Sequence, residues 1–208
     1  MPELPEVETI RRQLAPVVEG RELTVLEILD PRWCLPLAPE GVRDAFFATR
    51  LGLEPLSDEL TGAALRAMAR GRRAPIKAFL LDQRRIAGVG NIYADEALFR
   101  ARIHPLRPAG TLTRAQCDAL AAAIKEVLAA GIDAGGSTID DFRHPDGVSG
   151  AFQNDFLVHL RRDEPCVECG TTIVKMVAAG RGTYVCERCQ PRPRARRRRP
   201  AAQAAARS

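Results

Sequence analysis

The sequence predicts an α+β multidomain fold, and three observations carry that reading. Apolar residues at helical spacing fill the middle of the chain between Thr61 and Ala130. Strand-like material is confined to Leu23, Val25 and Ile28 and to a C-terminal stretch between two cysteine pairs. The chain has 208 residues, 46% of them apolar, which is enough to build real cores and excludes an intrinsically disordered protein.

From the N-terminus, Pro5 suits a first helical turn, and Val7, Ile10, Leu14 and Val17 recur on one face until Gly20 ends the run. The short strand at Leu23 to Ile28 follows. Asp30-Pro31, Pro36 and Pro39 then break regularity, and Val42 to Ala48 reads as a short helix. The middle holds four helices: Thr61 to Arg70 closed by Gly71, Pro75 to Asp82, Asn91 to Ala101, and Thr113 to Ala130. The last of these opens with the capping box Thr113-x-x-Gln116. Gly88-Val89-Gly90-Asn91 joins the second and third of these helices. Its two glycines let the backbone come close to a partner, so the exposed amides of the third helix are a seat for a phosphate or simply the end of a turn. Residues 131–165 are loop-rich, with turn signals at Gly135-Gly136-Ser137-Thr138 and Asp146-Gly147.

Cys166, Cys169, Cys186 and Cys189 form a C-x2-C-x16-C-x2-C pattern, the spacing of a closed four-thiolate site for one structural zinc ion. Thr171 to Val185 reads as a hairpin between the pairs, turning at Ala179-Gly180-Arg181-Gly182. Four protein ligands leave no open position, so the metal holds a small fold together and does no chemistry. Cys34 and Cys117 lack partners and read as structural. After Cys189, residues 191–208 hold seven Arg with no apolar period, which reads as a disordered arm able to add nonspecific phosphate affinity.

Charge is divided along the chain. Residues 61–110 carry 10 basic and 3 acidic side chains, whereas residues 1–60 carry 6 and 12. A basic block inside a foldable segment points to a polyanion-binding face, or to a solvated helix face. No stretch approaches a membrane span and the N-terminus is acidic, so the expectation is a soluble, cytoplasmic protein.

Three segments together resemble the formamidopyrimidine-DNA glycosylase family of bifunctional base-excision repair enzymes. They are Met1-Pro2-Glu3-Leu4-Pro5-Glu6-Val7-Glu8-Thr9, the run Gly88-Val89-Gly90-Asn91-Ile92-Tyr93-Ala94-Asp95-Glu96-Ala97-Leu98-Phe99, and the four-cysteine module, in the order that family uses them. The resemblance implies an N-terminal catalytic helix with a β-sandwich, a helix-two-turn-helix domain and a zinc-finger hairpin. The corresponding boundaries are residues 1–55, 56–160 and 161–190, with the Arg-rich tail at 191–208. It implies damaged double-stranded DNA as partner, no membrane, a monomer, and a bacterial cytoplasm in which DNA holds the protein at the nucleoid.

A penultimate Pro permits removal of Met1, and the secondary amine of Pro2 can then attack a sugar C1′ and form an iminium ion. Glu3 is placed to move protons as general acid and base, and Glu6, one turn on, to orient the amine or stabilise cationic intermediates. These carboxylates also fit a purely structural role at a helix N-terminus. By resemblance Asn91 and Arg181 grip phosphates flanking the lesion and Lys77 supports that face; an Arg between two glycines at a hairpin tip is free to reach a backbone, or is simply a mobile surface residue.

Two departures stand out. The family's sandwich is more than twice as long as what lies between Arg32 and Leu56, so most of the sheet is missing, together with its hairpin Lys and the residues that fill the hole left by a flipped base. Val158-His159-Leu160-Arg161 replaces the aromatic-Gly-Arg pattern usual before the zinc module. The chain therefore reads as an active glycosylase and AP lyase removing oxidised purines, with a non-catalytic DNA-binding remnant formed by internal deletion as the alternative. A generic zinc-ribbon adaptor explains the cysteines but not the N-terminal motif.

Overall fold

The computed structural model describes residues 3–22, 51–137 and 150–193. The strand at Leu23 to Ile28, the helix at Val42 to Ala48, the Asp146-Gly147 turn, Pro2 and the arm from residue 194 lie outside them.

Helix α1 (Leu4–Val18) starts where Pro5 allows it, and the Glu6 carboxylate reaches back to accept the Glu3 amide at 3.1 Å. The middle region holds four helices: α2 (Gly62–Ala69), α3 (Ile76–Leu80), α4 (Asn91–Arg100) and α5 (Arg114–Asp133). Thr61 caps α2 by accepting the Ala64 amide, and Thr113 and Gln116 exchange both bonds of a capping box on α5.

Helix α5 runs past Ala130, where the sequence suggests a loop, because Gly131 is a contact and not a stop. A Cβ there would lie 2.5 Å from Tyr93 Cε1 and 3.0 Å from Pro5 Cγ. Missing side-chain bulk thus lets α1, α4 and α5 converge. The core they share with α2 and α3 contains Leu65, Ile76, Leu80, Leu98, Leu120, Ile124 and Val127, all essentially inaccessible. Tyr93 stacks on Phe152 at 5.2 Å and extends that core into the segment after residue 150. Residues 52–53 are laced to the same body: Gly52 donates to Gln83 O, Leu53 donates to Arg85 O, and Leu53 O accepts from Ala87.

The C-terminal module is an antiparallel pair, β1 (Val174–Ala178) and β2 (Arg181–Val185). Ala178 pairs with Arg181, so the turn is only Ala179-Gly180, both at positive φ (54° and 70°), as a two-residue type I′ hairpin requires. Arg181 is therefore the first residue of β2, on paired backbone, and not part of the four-residue turn expected from sequence.

Candidate functional site

The N-terminal residue of the described chain, Glu3, sits against the start of α4. Its carboxylate accepts the amides of Ile92 at 3.2 Å and Tyr93 at 3.4 Å. The two-glycine turn makes this approach possible. Gly88 takes φ +69° and its carbonyl accepts the Leu4 amide, while a Cβ on Gly90 would lie 2.0 Å from Glu3 Cδ. The turn thus seats a carboxylate from its own chain and not a phosphate, and the reading of exposed amides there is corrected. Burial pushes the Glu3 carboxyl up to about 7; the α4 amides pull it down and the nearby Glu6 charge adds to the rise.

Glu6 is 4% exposed and fully engaged. One oxygen accepts from Tyr93 Oη at 3.0 Å, the Ser137 amide at 2.8 Å and Ser137 Oγ at 2.9 Å, and the other takes the Glu3 amide. Burial, with the Glu6 charge, raises the Tyr93 hydroxyl pKa, so it stays a neutral donor. Ser137 was not anticipated; its signal was the Gly135-Gly136 turn, since Gly136 passes within close contact of the Glu6 side chain.

Across the cleft from Glu3 stands the hairpin. Asn91 opens α4 and donates through Nδ2 to the Gly182 carbonyl at 3.2 Å. Glu3, Gln83, Gly88, Gly90, Asn91 and the exposed Arg181 line a cleft of about 110 Å³. Three of the residues singled out from sequence, Glu3, Asn91 and Arg181, therefore meet at one place. Lys77 does not join them. It is completely buried, and its Nζ donates to Asp95 Oδ1 at 2.6 Å, Thr183 Oγ1 at 2.8 Å and Gly182 O at 3.3 Å. Burial lowers its pKa and Asp95 opposes that shift. In this arrangement Lys77 supports the hairpin from behind, with its charge paired to Asp95 and not presented in the cleft.

Asp95 and its neighbour are the residues that sequence reading missed. The other Asp95 oxygen meets His159 Nδ1 at 2.9 Å and the Tyr184 amide at 3.3 Å. Glu96 accepts the amides of Leu157, Val158 and His159 and pairs with Arg100 at 3.0 Å. Two adjacent acids inside an apolar helical run were the available signal, because a buried carboxylate needs a partner. The His159 departure thus fills a defined slot between Asp95 and the Tyr184 ring, whose centroid is 5.0 Å away.

The four cysteines close the module. Their sulfurs lie within 4.8 Å of one another, with Cys166 to Cys189 at 3.9 Å and Cys169 to Cys186 at 3.5 Å. A tetrahedral zinc–thiolate site with bonds of about 2.3 Å has sulfur–sulfur edges of about 3.8 Å, and the four sulfurs are gathered closely enough to close around one structural zinc ion.

Three family descriptions match in register: the formamidopyrimidine-DNA glycosylase N-terminal domain over residues 1–71, its H2TH domain over 51–143, and a zinc finger found in formamidopyrimidine-DNA glycosylase and isoleucyl-tRNA synthetase over 163–192. The crystal structure of the MutM (Fpg) protein from Thermus thermophilus superposes with a TM-score of 0.79 at 35% identity, covering 91% of this chain and 98% of that one. The chain belongs to the formamidopyrimidine-DNA glycosylase family.

Among sequence relatives, formamidopyrimidine-DNA glycosylases of a Synechococcus strain and of Gluconobacter oxydans are 50% and 52% identical over 69% and 67% of this chain. The chain spans about half the length of these curated relatives, 51% in both cases. A Lactococcus lactis Fpg in complex with DNA containing an abasic site aligns at 25% identity with a TM-score of 0.78, over 91% of this chain and all of that one. The glycosylase-family recognition and the zinc expectation both hold. Among the described residues, no helix is long and apolar enough to cross a membrane.

Proposed function

We propose that this protein is a DNA glycosylase and AP lyase that removes oxidised purines from double-stranded DNA through the amine of Pro2. The observation that carries this reading is Glu3: a half-buried carboxyl with a pKa of about 7, fixed by α4 in the same cleft as Arg181 and next in sequence to Pro2. In the proposed reaction the Pro2 nitrogen forms a bond to C1′ as the glycosidic bond breaks, and the departing base takes up a proton that Glu3 supplies. Opening of the sugar ring leaves an iminium at C1′. This acidifies the C2′ hydrogen, and its removal expels the 3′ phosphate and cuts the strand. Asn91 and Arg181 hold flanking phosphates, and Lys77 and Glu6 position their respective elements. The zinc holds the hairpin that carries Arg181.

A second reading, a DNA-binding remnant without turnover, is favoured by one observation: the matched segment spans only about half the length of the curated relatives, consistent with loss of most of the N-terminal sheet. Borohydride trapping on duplexes with a preformed abasic site separates the two, because only an iminium is reduced to a stable amine. An adduct at the N-terminal Pro is expected; binding without any adduct overturns the enzyme reading in favour of the remnant.

A further inference from the structure

Away from the cleft, the surface carries a second concentration of positive charge with an architecture of its own. The loop after α2 is clamped to the loop before α5 by main-chain bonds: Ala109 N to Ala74 O and Gly110 N to Arg72 O, both at 2.9 Å, and Ile76 N to Arg107 O at 2.7 Å. Gly110 allows the two loops to touch, since a Cβ there would lie 2.9 Å from the Arg72 backbone. Arg72 and Arg73 are thus exposed on a fixed frame, and neither has an ion-pair partner among the described residues. They line an open groove of about 1120 Å³ together with Arg107, Pro108, Pro191 and Arg192.

Among the described residues no carboxylate lines this groove. Arg107 presents a buried Nε with no acceptor. Arg192 donates to Glu187 at 2.6 Å, which pins the root of the C-terminal arm beside the groove, and the next 15 residues contain six more Arg. An adjoining groove across Gly110 adds Arg66, Arg70 and Arg114, again without a lining acid. The cleft and the groove share no residue. Arg181 stands beside the turn of the hairpin, whereas the groove takes Pro191, Arg192 and Pro193 from beyond Cys189.

We infer that this groove is a second nucleic-acid site, holding the phosphodiester backbone of duplex DNA outside the segment gripped in the cleft. The ligand follows from the lining. Arg72 and Arg73, exposed and without an ion-pair partner among the described residues, favour a polyanion, and their planar forks suit phosphate oxygens. No aromatic ring lines the groove, so there is no platform for unstacked bases, and a duplex backbone fits better than a single strand. The arm cannot be the occupant, because its own arginines repel those of the groove. The inference rests on the DNA-binding part of the proposed function and not on its catalysis.

The test uses the full chain with two duplexes sharing a central abasic-site analogue, one of about 10 base pairs and one of about 30. Arg72→Ala/Arg73→Ala should bind the long duplex about tenfold more weakly and lower its salt slope by about 2, with the affinity for the short duplex within twofold of the parent. Arg72→Lys/Arg73→Lys, which keeps the charge, should restore the slope and so exclude a folding defect. A labelled second short duplex, added after the first saturates the cleft, reports whether the groove takes a separate molecule or the flank of the same one; binding of either source supports the site. Equal losses on both duplexes, or no loss on either, overturn it. Failure of the parent to bind even the short duplex would instead overturn the DNA reading itself.

Discussion

Helix α4 carries two passengers, and they are attached by different physics. The zinc module is held on several sides: Asp95 and Lys77 take the hairpin, Glu96 takes the 157–159 backbone, Gln190 Nε2 donates to Ile103 O, and Phe99, Val158, Ile173 and Tyr184 bury a small core around the cysteines. Among the described residues, helix α1 is held mainly at its N-terminal end. Its buried residues are Pro5, Glu6 and Thr9, whereas Val7, Leu14, Val17 and Val18 are each more than 40% exposed. Metal, packing and internal ion pairs fix the hairpin, whereas the helix that bears the proposed chemistry is tied among the described residues chiefly by two carboxylates, the Leu4 amide on Gly88 O and the contact of Pro5 with Gly131. The position of Glu3 is therefore sensitive to pH and to single polar substitutions in a way that the position of Arg181 is not.

The contrast is broken most severely by removing the metal. Cys169→Ser or a strong chelator should release zinc and expose the amides of 163–190 to hydrogen exchange, while those of α4 and α5 stay protected; the metal-coupled folding free energy of such modules is on the order of 10 kcal/mol. Metal analysis and exchange on the same sample check this. Asp95→Ala comes next. It strands the Lys77 ammonium in a fully buried site, so a loss of about 3–5 kcal/mol is expected by denaturant titration, with DNA affinity falling as the hairpin loosens. Asp95→Ala/Lys77→Met should recover much of that stability, because the unpaired charge is then absent.

At the α1 end the effects are smaller. Glu6→Ala leaves the Tyr93 hydroxyl and Ser137 amide without an acceptor and should cost about 1–3 kcal/mol, loosening α1 and not the zinc module. Glu3 adds a pH dependence whose sign follows from its raised pKa. The folded state holds the proton more tightly than the unfolded chain, so its contribution is largest below pH 4.5 and is lost as pH rises through about 7. Thermal unfolding followed from pH 5 to 8 should show that decline, and Glu3→Gln should flatten it. Base excision should fall on the alkaline side of about 7, where Glu3 no longer carries the proton for the leaving base, with abasic-strand cleavage less affected.

Local order was legible and long-range pairing was not. Thr61, Thr113 with Gln116, and Pro5 announce helix starts because a capping residue and its target lie within three positions. Four cysteines announce a zinc site because two short spacings suffice. Glu3 reaching the amides of α4 crosses some 90 positions, Glu6 to Ser137 crosses 131, and Lys77 to Thr183 crosses 106. No periodicity encodes such pairs. What the sequence offers instead is an anomaly, a charged residue in an apolar run, as with Lys77 in α3 and Asp95-Glu96 in α4. The glycines behave alike: Gly131 reads as a helix stop from local rules, yet it is a contact surface once Tyr93 and Pro5 are in place.

The smallest expected effect sharpens the comparison inside the better-held region. Leu160 adopts φ +59°, a conformation that costs a branched side chain about 1 kcal/mol or more, and its side chain is half exposed. The cost is tolerated because both flanks are fixed, His159 by Asp95 and by Glu96, and Arg161 by its pairing with Glu164 at 2.7 Å. Leu160→Gly removes the strain, loses little burial, and adds unfolded-chain entropy of about 0.5–1 kcal/mol in opposition. A net gain of a few tenths of a kcal/mol is expected, read as a shift in the denaturant midpoint at constant slope. A loss greater than about 1 kcal/mol would mean that the Leu160 side chain is held by packing, and that the module tolerates its left-handed residue for a reason other than its rigid flanks.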